Sequence, residues 1–193
     1  MTGSRERATP PRLVLASGSP QRRAILEQLG VAFTVEQPEI DELAQGDPRT
    51  VAVENASRKA RAVRGELVLG ADTVVAVDGR SLGKPADAEE AREFLACLSG
   101  RDHLVVTGVA LREGDSLRTG CGVTRVRFRA LRIADVEAYV ATGEWDGRAG
   151  GYAIQGRGAL LVAEVEGDYW TVVGLPVAEL ARMEPDLLLS PAG

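Results

Sequence analysis

Two neighbouring arginines, Arg22 and Arg23, follow a stretch that is typical of a strand, a turn of small residues and a helix start, residues 13–20. Ser19 fits the N-cap of this helix and Pro20 fits its first position. The first turn of a helix already carries about half a positive charge from its backbone, so cations are unfavourable there. A bound polyanion would explain both arginines, because backbone N–H groups and guanidinium groups would converge on phosphate oxygens. The alternative is that both side chains point into solvent, at a cost of roughly a few tenths of a kcal/mol.

Asp72 lies inside Leu67–Val77, the strongest strand pattern of the chain. Burying a carboxylate there costs several kcal/mol unless a cation or hydrogen-bond donors compensate. If residues 77–79 form a three-residue hairpin loop, Asp72 falls opposite Lys84, whereas a two-residue loop places the two on opposite faces. The cost of the buried acid favours the three-residue loop. A structural ion pair without a catalytic part remains the alternative.

Glycines are dense around Gln155, within residues 143–158. Such a segment lets the backbone lie close to a planar ligand, and an amide side chain can donate to and accept from the edge of a nucleobase. The alternative is an ordinary mobile loop.

Helices alternate with strands along the rest of the chain, which is typical of an α/β sheet covered by helices. The lone histidine, His103, lies in a strand pattern beside a turn and is interpreted as structural. Predicted strands cover residues 13–16, 32–35, 67–77, 103–111, 122–128 and 159–165. Predicted helices cover residues 20–29, 48–63, 87–98, 133–140 and 176–183.

The composition of the chain limits the classes of molecule that it can bind. The chain has 193 residues, 23 basic and 28 acidic side chains and a net charge of -5, which argues against a general nucleic-acid binder. No apolar run approaches the roughly 20 residues of a membrane span, so we expect no membrane insertion. Cys97 and Cys121 lack metal-ligand spacing and are interpreted as free thiols in a reducing cytoplasm. We expect a flexible tail at 1–11, one domain at 12–184 and a C-terminal tail at 185–193.

Taken together, several ordered segments resemble the Maf family of nucleoside triphosphate pyrophosphatases, from about Leu13 to Met183. The resemblance implies a Maf-like α/β fold, related to the inosine triphosphatase fold, with an elongated mixed sheet, flanking helices and a cleft between two lobes. It also implies a protein that is often a homodimer. The segments are Ala16-Ser-Gly-Ser-Pro-Gln-Arg-Arg, Asp41-Glu42, Lys59-Ala-Arg-Ala, Gly70-Ala-Asp-Thr, Gly83-Lys-Pro, Leu98-Ser-Gly, Thr107-Gly-Val, Ala149-Gly-Gly-Tyr-Ala-Ile-Gln-Gly and Val173-Gly-Leu-Pro.

The resemblance implies hydrolysis of a nucleoside triphosphate between its α- and β-phosphates, with Mg²⁺ or Mn²⁺ as cofactor. Carried onto this sequence, Asp72 is the proton acceptor for the attacking water, and Glu42 joins it in binding the metal. Lys59 and Lys84 neutralise the charge that develops on the triphosphate. Hard cations and positioned positive charges suit phosphoryl transfer.

The same resemblance places Ser17 and Arg22 on the phosphates. The segment around Gln155 is similar to the branch of the family that acts on dTTP and UTP, in which this glutamine and Thr73 contribute to base selection. That branch usually carries arginine where this chain has Gln21, so we expect weaker discrimination between bases without a change in the hydrolytic step.

A second hypothesis belongs to another class of protein, a nucleotide-responsive regulator of cell division and septum formation with broad or weak hydrolysis. A sensor could bind nucleotide without a positioned base. The set of Asp72, Glu42, Lys59 and Lys84 therefore favours turnover.

Overall fold

A seven-stranded mixed sheet forms the centre of the computed structural model, which describes residues 12–189. The order β2-β1-β3-β5-β6-β7 is continuous, and β4 pairs with β3 off this path. Strand β1 is parallel to β2 and β3, and all other pairings are antiparallel. The strands are β1 Leu13–Ala16, β2 Phe33–Glu36, β3 Leu67–Val77, β4 Arg80–Leu82, β5 Asp102–Glu113, β6 Ser116–Phe128 and β7 Val162–Glu166.

Helices cover this sheet, which confirms the predicted α/β class. They are α1 Pro20–Gln28, α2 Pro48–Ala62, α3 Ala88–Leu98, α4 Ile133–Val140, α5 Tyr169–Val173, α6 Val177–Met183 and α7 Pro185–Leu189. Two 3-10 segments, Ala149–Gly151 and Gly156–Leu161, lie between α4 and β7. No helix within residues 12–189 has the length and apolar character that a membrane span requires.

Helix α2 lies directly against strands β3 and β5. It begins where predicted, because the Asp47 side chain accepts a hydrogen bond from the Thr50 N–H at 3.0 Å and caps the first turn. A Cβ at Gly70 or Gly108 would overlap the backbone of this helix. These glycines therefore let helix and strands touch without intervening side chains.

One face of strand β3 contributes to two hydrophobic clusters. Its first half, with Leu69 and Ala71, packs with β1, α1 and α6, whereas Val75 and Val77 pack with α3 and α4. Asp72 points to the opposite face of the strand, where it contacts Asn55 and Lys59 of α2.

The hairpin after β3 contradicts the predicted register. Val77 pairs with Arg80, so the loop has two residues, Asp78 and Gly79, with φ values of 48° and 74°. Two positive φ values are the requirement of a type I′ turn, which an Asp-Gly pair satisfies well. Asp72 lies opposite Gly108 of β5 and not opposite Lys84. The prediction was wrong because the cation that compensates this acid is Lys59 from α2, the helix that precedes β3, and not a residue of the hairpin.

Smaller differences concern element boundaries. Strand β7 begins at Val162 and not at residue 159, because the preceding residues form a 3-10 segment. Strand β6 begins at Ser116, and α5 was not predicted at all. Helix α7 occupies the first part of the expected C-terminal tail, whereas the expected tail at residues 1–11 and residues 190–193 lie outside the described residues.

Candidate active site

One cleft of about 430 Å³ collects every residue that the sequence proposed for the site. Its size is within the range of small-molecule sites. The roles assigned to these residues stay predictions, but their common location is a finding. They are Ser17, Gln21, Arg22, Glu42, Lys59, Asp72, Thr73, Lys84 and Gln155.

At the floor of the cleft, Lys59 bridges two carboxylates. Its Nζ lies 2.6 Å from Oδ1 of Asp72 and 2.7 Å from Oε1 of Glu42. Lys59 is only 6% exposed and Asp72 only 7%. We call Glu42, Lys59 and Asp72 the acid–lysine cluster. Its buried charges are paired, which avoids the several kcal/mol that an isolated buried ion costs.

Glu42 is the accessible member of the acid–lysine cluster. Partial burial favours its neutral form, but the hydrogen bond and charge of Lys59 outweigh burial and lower the pKa of the Glu42 carboxyl below its usual value. Glu42 is therefore ionised at neutral pH and can act as an oxygen ligand.

Lys84 reaches the other oxygen of Glu42 and not Asp72. Its Nζ lies 3.8 Å from Oε2 of Glu42, and its side chain is 58% exposed. An exposed pair at this distance contributes little to stability. This cation is thus free to turn towards a ligand in the cleft.

Asn55 is a site residue that the sequence analysis missed. It is 1% exposed on α2, one helical turn before Lys59, and its Nδ2 donates to Oδ2 of Asp72 at 3.0 Å. The same amide donates to the carbonyl of Leu43 at 3.0 Å and accepts from the Leu43 N–H at 2.7 Å. A polar residue on the apolar face of a helix was the available signal.

Arg22 fixes the turn between β1 and α1 to the cleft wall. Its Nε donates to the carbonyl of Gly174 at 2.8 Å, Nη1 to Ser17 Oγ at 2.9 Å and Nη2 to Thr73 Oγ1 at 3.1 Å. Burial lowers the pKa of this guanidinium, an effect opposed by the carboxylates of the acid–lysine cluster. The arginine therefore brings a desolvated positive charge to the start of α1.

Arg23 does not share this location, which corrects the expectation that both guanidinium groups converge on one anion. It is exposed and pairs with Glu27 at 2.8 Å along α1. Consecutive helical residues point about 100° apart, and Arg23 lies beyond the face of α1 that carries Gln21 and Arg22 into the cleft.

The hydroxyl group of Thr73 already donates its proton to Thr107. Thr107 donates to the carbonyl of Thr171 at 2.7 Å, so in its 2.9 Å contact with Thr73 it must accept. Thr73 in turn accepts from Arg22. Towards the cleft this hydroxyl can therefore offer only an acceptor lone pair.

Gln21 and Gln155 lie on different segments of the cleft wall. Gln155 precedes the 3-10 segment Gly156–Leu161 and is exposed. The Oε1 of Gln21 accepts from Ser19 Oγ at 3.2 Å and from Nη1 of Arg148. Sequence reasoning did not single out Arg148, which also lines the cleft.

The family model described as Maf-like protein matches residues 12–185, nearly all of the described chain. This chain belongs to the Maf family.

Maf-family relatives named dTTP/UTP pyrophosphatase resemble it over most of their length. The relative from Symbiobacterium thermophilum is 49% identical over 177 residues, which cover 89% of this chain and 91% of the relative. The relative from Thermus thermophilus is 48% identical over 171 residues, 88% of this chain and 91% of the relative. The relative from Pyrococcus furiosus is 42% identical over 177 residues, 89% of this chain and 93% of the relative.

Two carboxylates of this Maf-family site, on Glu42 and Asp72, suit a hard divalent cation. Within residues 12–189, no group of three or more acidic, histidine or cysteine side chains could hold a metal by itself. Mg²⁺ commonly keeps several waters and takes one or two carboxylates together with substrate phosphates. The donor set therefore fits a cation whose coordination is completed by water and by oxygen atoms of a bound ligand.

His103 has the structural position expected of it in this Maf-family chain. It is 2% exposed, and its Nε2 shares a 2.7 Å hydrogen bond with the hydroxyl of Tyr152. Burial lowers the pKa of His103 to about 4, against a smaller opposing effect of Asp102. The imidazole is therefore neutral at physiological pH and supports the Tyr152 ring, which lines the cleft.

Proposed function

We propose that this chain hydrolyses nucleoside triphosphates between the α- and β-phosphates and prefers dTTP and UTP. The observation that carries the proposal is the buried Asp72, held by Lys59 and Asn55 at the floor of a cleft that also presents Arg22 and Lys84. The names of the Maf-family relatives support the same reaction.

Asp72 is the proton acceptor in this proposal. Water adds to the α-phosphorus, the bond from that phosphorus to the α–β bridging oxygen breaks, and pyrophosphate leaves. Asp72 takes the proton from the water, and the products are a nucleoside monophosphate and pyrophosphate. Because Lys59 and Asn55 each hold one carboxylate oxygen, the base needs little reorganisation before it reacts.

Positive charge around the triphosphate comes from Lys59, Lys84 and Arg22. Glu42 and Asp72 would hold Mg²⁺ or Mn²⁺, which supplies further stabilisation of negative charge on phosphate oxygens. Ser17, which accepts from Arg22, lies beside the start of α1, where no side chain caps the helix among the described residues. The first backbone N–H groups of helix α1 are therefore available to bind an anion.

Base selection is assigned to Gln155 and Thr73. Uracil and thymine present alternating carbonyl acceptors and a ring N–H donor, which an amide can match. The acceptor-only hydroxyl of Thr73 suits the ring N–H. We expect weaker discrimination than in relatives with arginine at the position of Gln21.

The proposal places the enzyme in the cytoplasm, as a monomer or homodimer. Both cysteines are free and half-buried, which supports a reducing compartment. The net charge of -5 supports a small anionic substrate bound in a local pocket, without a nucleic-acid partner.

Pyrophosphate release from each common ribo- and deoxyribonucleoside triphosphate, with Mg²⁺ or Mn²⁺, tests the proposal. We expect dTTP and UTP to be turned over fastest, and Asp72→Asn to be about 10²–10⁴-fold slower while remaining folded. Asp115→Asn, an exposed acid in the β5–β6 turn, is the matched control and keeps full activity. Near wild-type turnover by Asp72→Asn would remove the catalytic assignment, and preference for a purine triphosphate would remove the base assignment.

A further inference from the structure

Arg148 lines the cleft and has no assigned role. Its guanidinium Nη1 donates to Oε1 of Gln21, on the first turn of α1. Backbone hydrogen bonds hold Arg148 in place, because its N–H donates to the Trp145 carbonyl at 3.1 Å and its carbonyl accepts from the Gly151 N–H at 3.0 Å. The arginine thus joins two segments of the cleft wall that are far apart in sequence.

The contact with Arg148 determines which way the amide of Gln21 points. A guanidinium has only donors, so the group of Gln21 that faces it must be the oxygen. The Ser19 hydroxyl donates to the same oxygen at 3.2 Å. Since both lone pairs of that oxygen are used, Gln21 has only its NH₂ group to offer a ligand.

The Nε of Arg148 is buried and has no hydrogen-bond partner among the described residues. No carboxylate of residues 12–189 lies within 4.0 Å of its guanidinium nitrogens. A buried donor of a charged group is costly to leave unpaired, so an acceptor is expected beside it. Arg148 and Gln21 together therefore bring a positive charge and N–H donors to the cleft, and the Gln21 oxygen has no lone pair left with which to accept.

We propose that Arg148, positioned by Gln21, binds the phosphate oxygens of the substrate triphosphate. This inference rests on the proposed pyrophosphatase function and extends it. Phosphate oxygens are acceptors only, which matches a surface that has donors only. The edge of uracil or thymine also carries an N–H donor, which neither Arg148 nor Gln21 could accept. Arg22 also lines the cleft, and the start of α1, which carries Gln21, likewise favours negative charge.

Calorimetric binding of inorganic tripolyphosphate with Mg²⁺ isolates the phosphate contact from the base and from turnover. We expect Arg148→Ala to weaken tripolyphosphate binding about 10- to 100-fold, the range of a hydrogen bond to a charged group. Arg148→Lys recovers part of the loss. Arg157→Ala is the matched control, because Arg157 is exposed in the 3-10 segment Gly156–Leu161 and does not line the cleft. This variant should bind tripolyphosphate with wild-type affinity.

The positioning role of Gln21 is tested by a double-mutant cycle. Gln21→Ala should weaken tripolyphosphate binding in the wild-type background and have little further effect in Arg148→Ala, because its contribution acts through the arginine. In turnover assays Arg148→Ala should raise KM for UTP and leave kcat and the ratio of UTP to GTP turnover nearly unchanged.

Wild-type affinity of Arg148→Ala for tripolyphosphate would overturn the inference, as would a wild-type chain that binds no tripolyphosphate. A changed UTP to GTP ratio with unchanged tripolyphosphate affinity would show a base contact and overturn it equally. Absence of pyrophosphate release by wild-type protein would remove the proposed function, whereas the binding measurements would still decide whether Arg148 holds phosphate.

Discussion

Asn55 connects Asp72 to the backbone of Leu43 through one amide group, with all three hydrogen bonds between 2.7 and 3.0 Å. Leu43 follows Glu42 directly, so the amide relates the position of one carboxylate to that of the other. The spacing of the two acids in the acid–lysine cluster is therefore set by helix α2 and not by the loop alone.

Replacing Asn55 with leucine should lower kcat about 10- to 100-fold with a smaller change in KM, the range seen when a group that orients a reacting residue is removed. Leucine keeps most of the volume but cannot hold the carboxylate or the loop backbone. Steady-state kinetics with UTP measure the effect. Ser57→Ala, another buried polar position on α2, is the control and should retain kcat. Equal losses in both variants would indicate a general disturbance of the helix.

Lys84→Ala should reduce turnover and leave thermal stability unchanged within about 0.5 kcal/mol, because its side chain is mostly exposed and its contact with Glu42 is long. Parallel activity and melting measurements separate the two effects. Arg80→Ala removes an exposed cation from the adjacent strand and serves as comparison. A lower melting temperature with an unchanged rate would identify Lys84 as a structural residue.

Divalent metal should bind weakly to the protein alone and more tightly with nucleotide present, because Glu42 and Asp72 supply only part of a coordination shell. Electron paramagnetic resonance of Mn²⁺ with a non-hydrolysable UTP analogue measures this affinity. We expect Glu42→Gln to weaken it about tenfold or more, equivalent to about 1.4 kcal/mol. The exposed neighbour Glu39, as Glu39→Gln, should have no effect. Unchanged Mn²⁺ affinity in Glu42→Gln would exclude Glu42 as a ligand.

His103 should make the fold less stable as pH falls from about 6.5 to about 4. In this window the unfolded chain binds a proton on the imidazole and the folded chain does not, since burial lowers the folded pKa to about 4. The unfolded state then binds more protons, so stability rises with pH and is lost on acidification, by about 3 kcal/mol at most.

The difference in unfolding free energy between wild type and His103→Gln, followed by urea titration across this pH window, isolates the imidazole from the carboxylates. Because the chain has one histidine, its NMR signal also reports the pKa directly. A midpoint near 6.5 would contradict the burial argument.

The sequence predicted best those features that depend on residues close together in the chain. Strand β3 has its predicted bounds, α2 begins at its predicted cap, and the candidate residues meet in one cleft. The partner of Asp72 could not be read from the hairpin, because Lys59 arrives from α2 through tertiary packing.

Long-range partners explain the other omissions. Gln21 and Arg148 are 127 positions apart, and no local pattern relates them. Asn55 contacts Asp72 from 17 positions away. Only the folded sheet brings these side chains together, so their pairing lies beyond propensity and spacing.

Helix α2 contacts the backbone of β3 and β5 directly at Gly70 and Gly108, and this contact affects how the enzyme is inactivated by heat. Lys59 and Asp72 are carried by two elements whose backbones touch, so no intervening layer of side chains can loosen first. Local melting of the catalytic arrangement would require separating a helix from the central strands, which is close to unfolding the domain. Heat inactivation and loss of secondary structure should therefore coincide in a single cooperative transition.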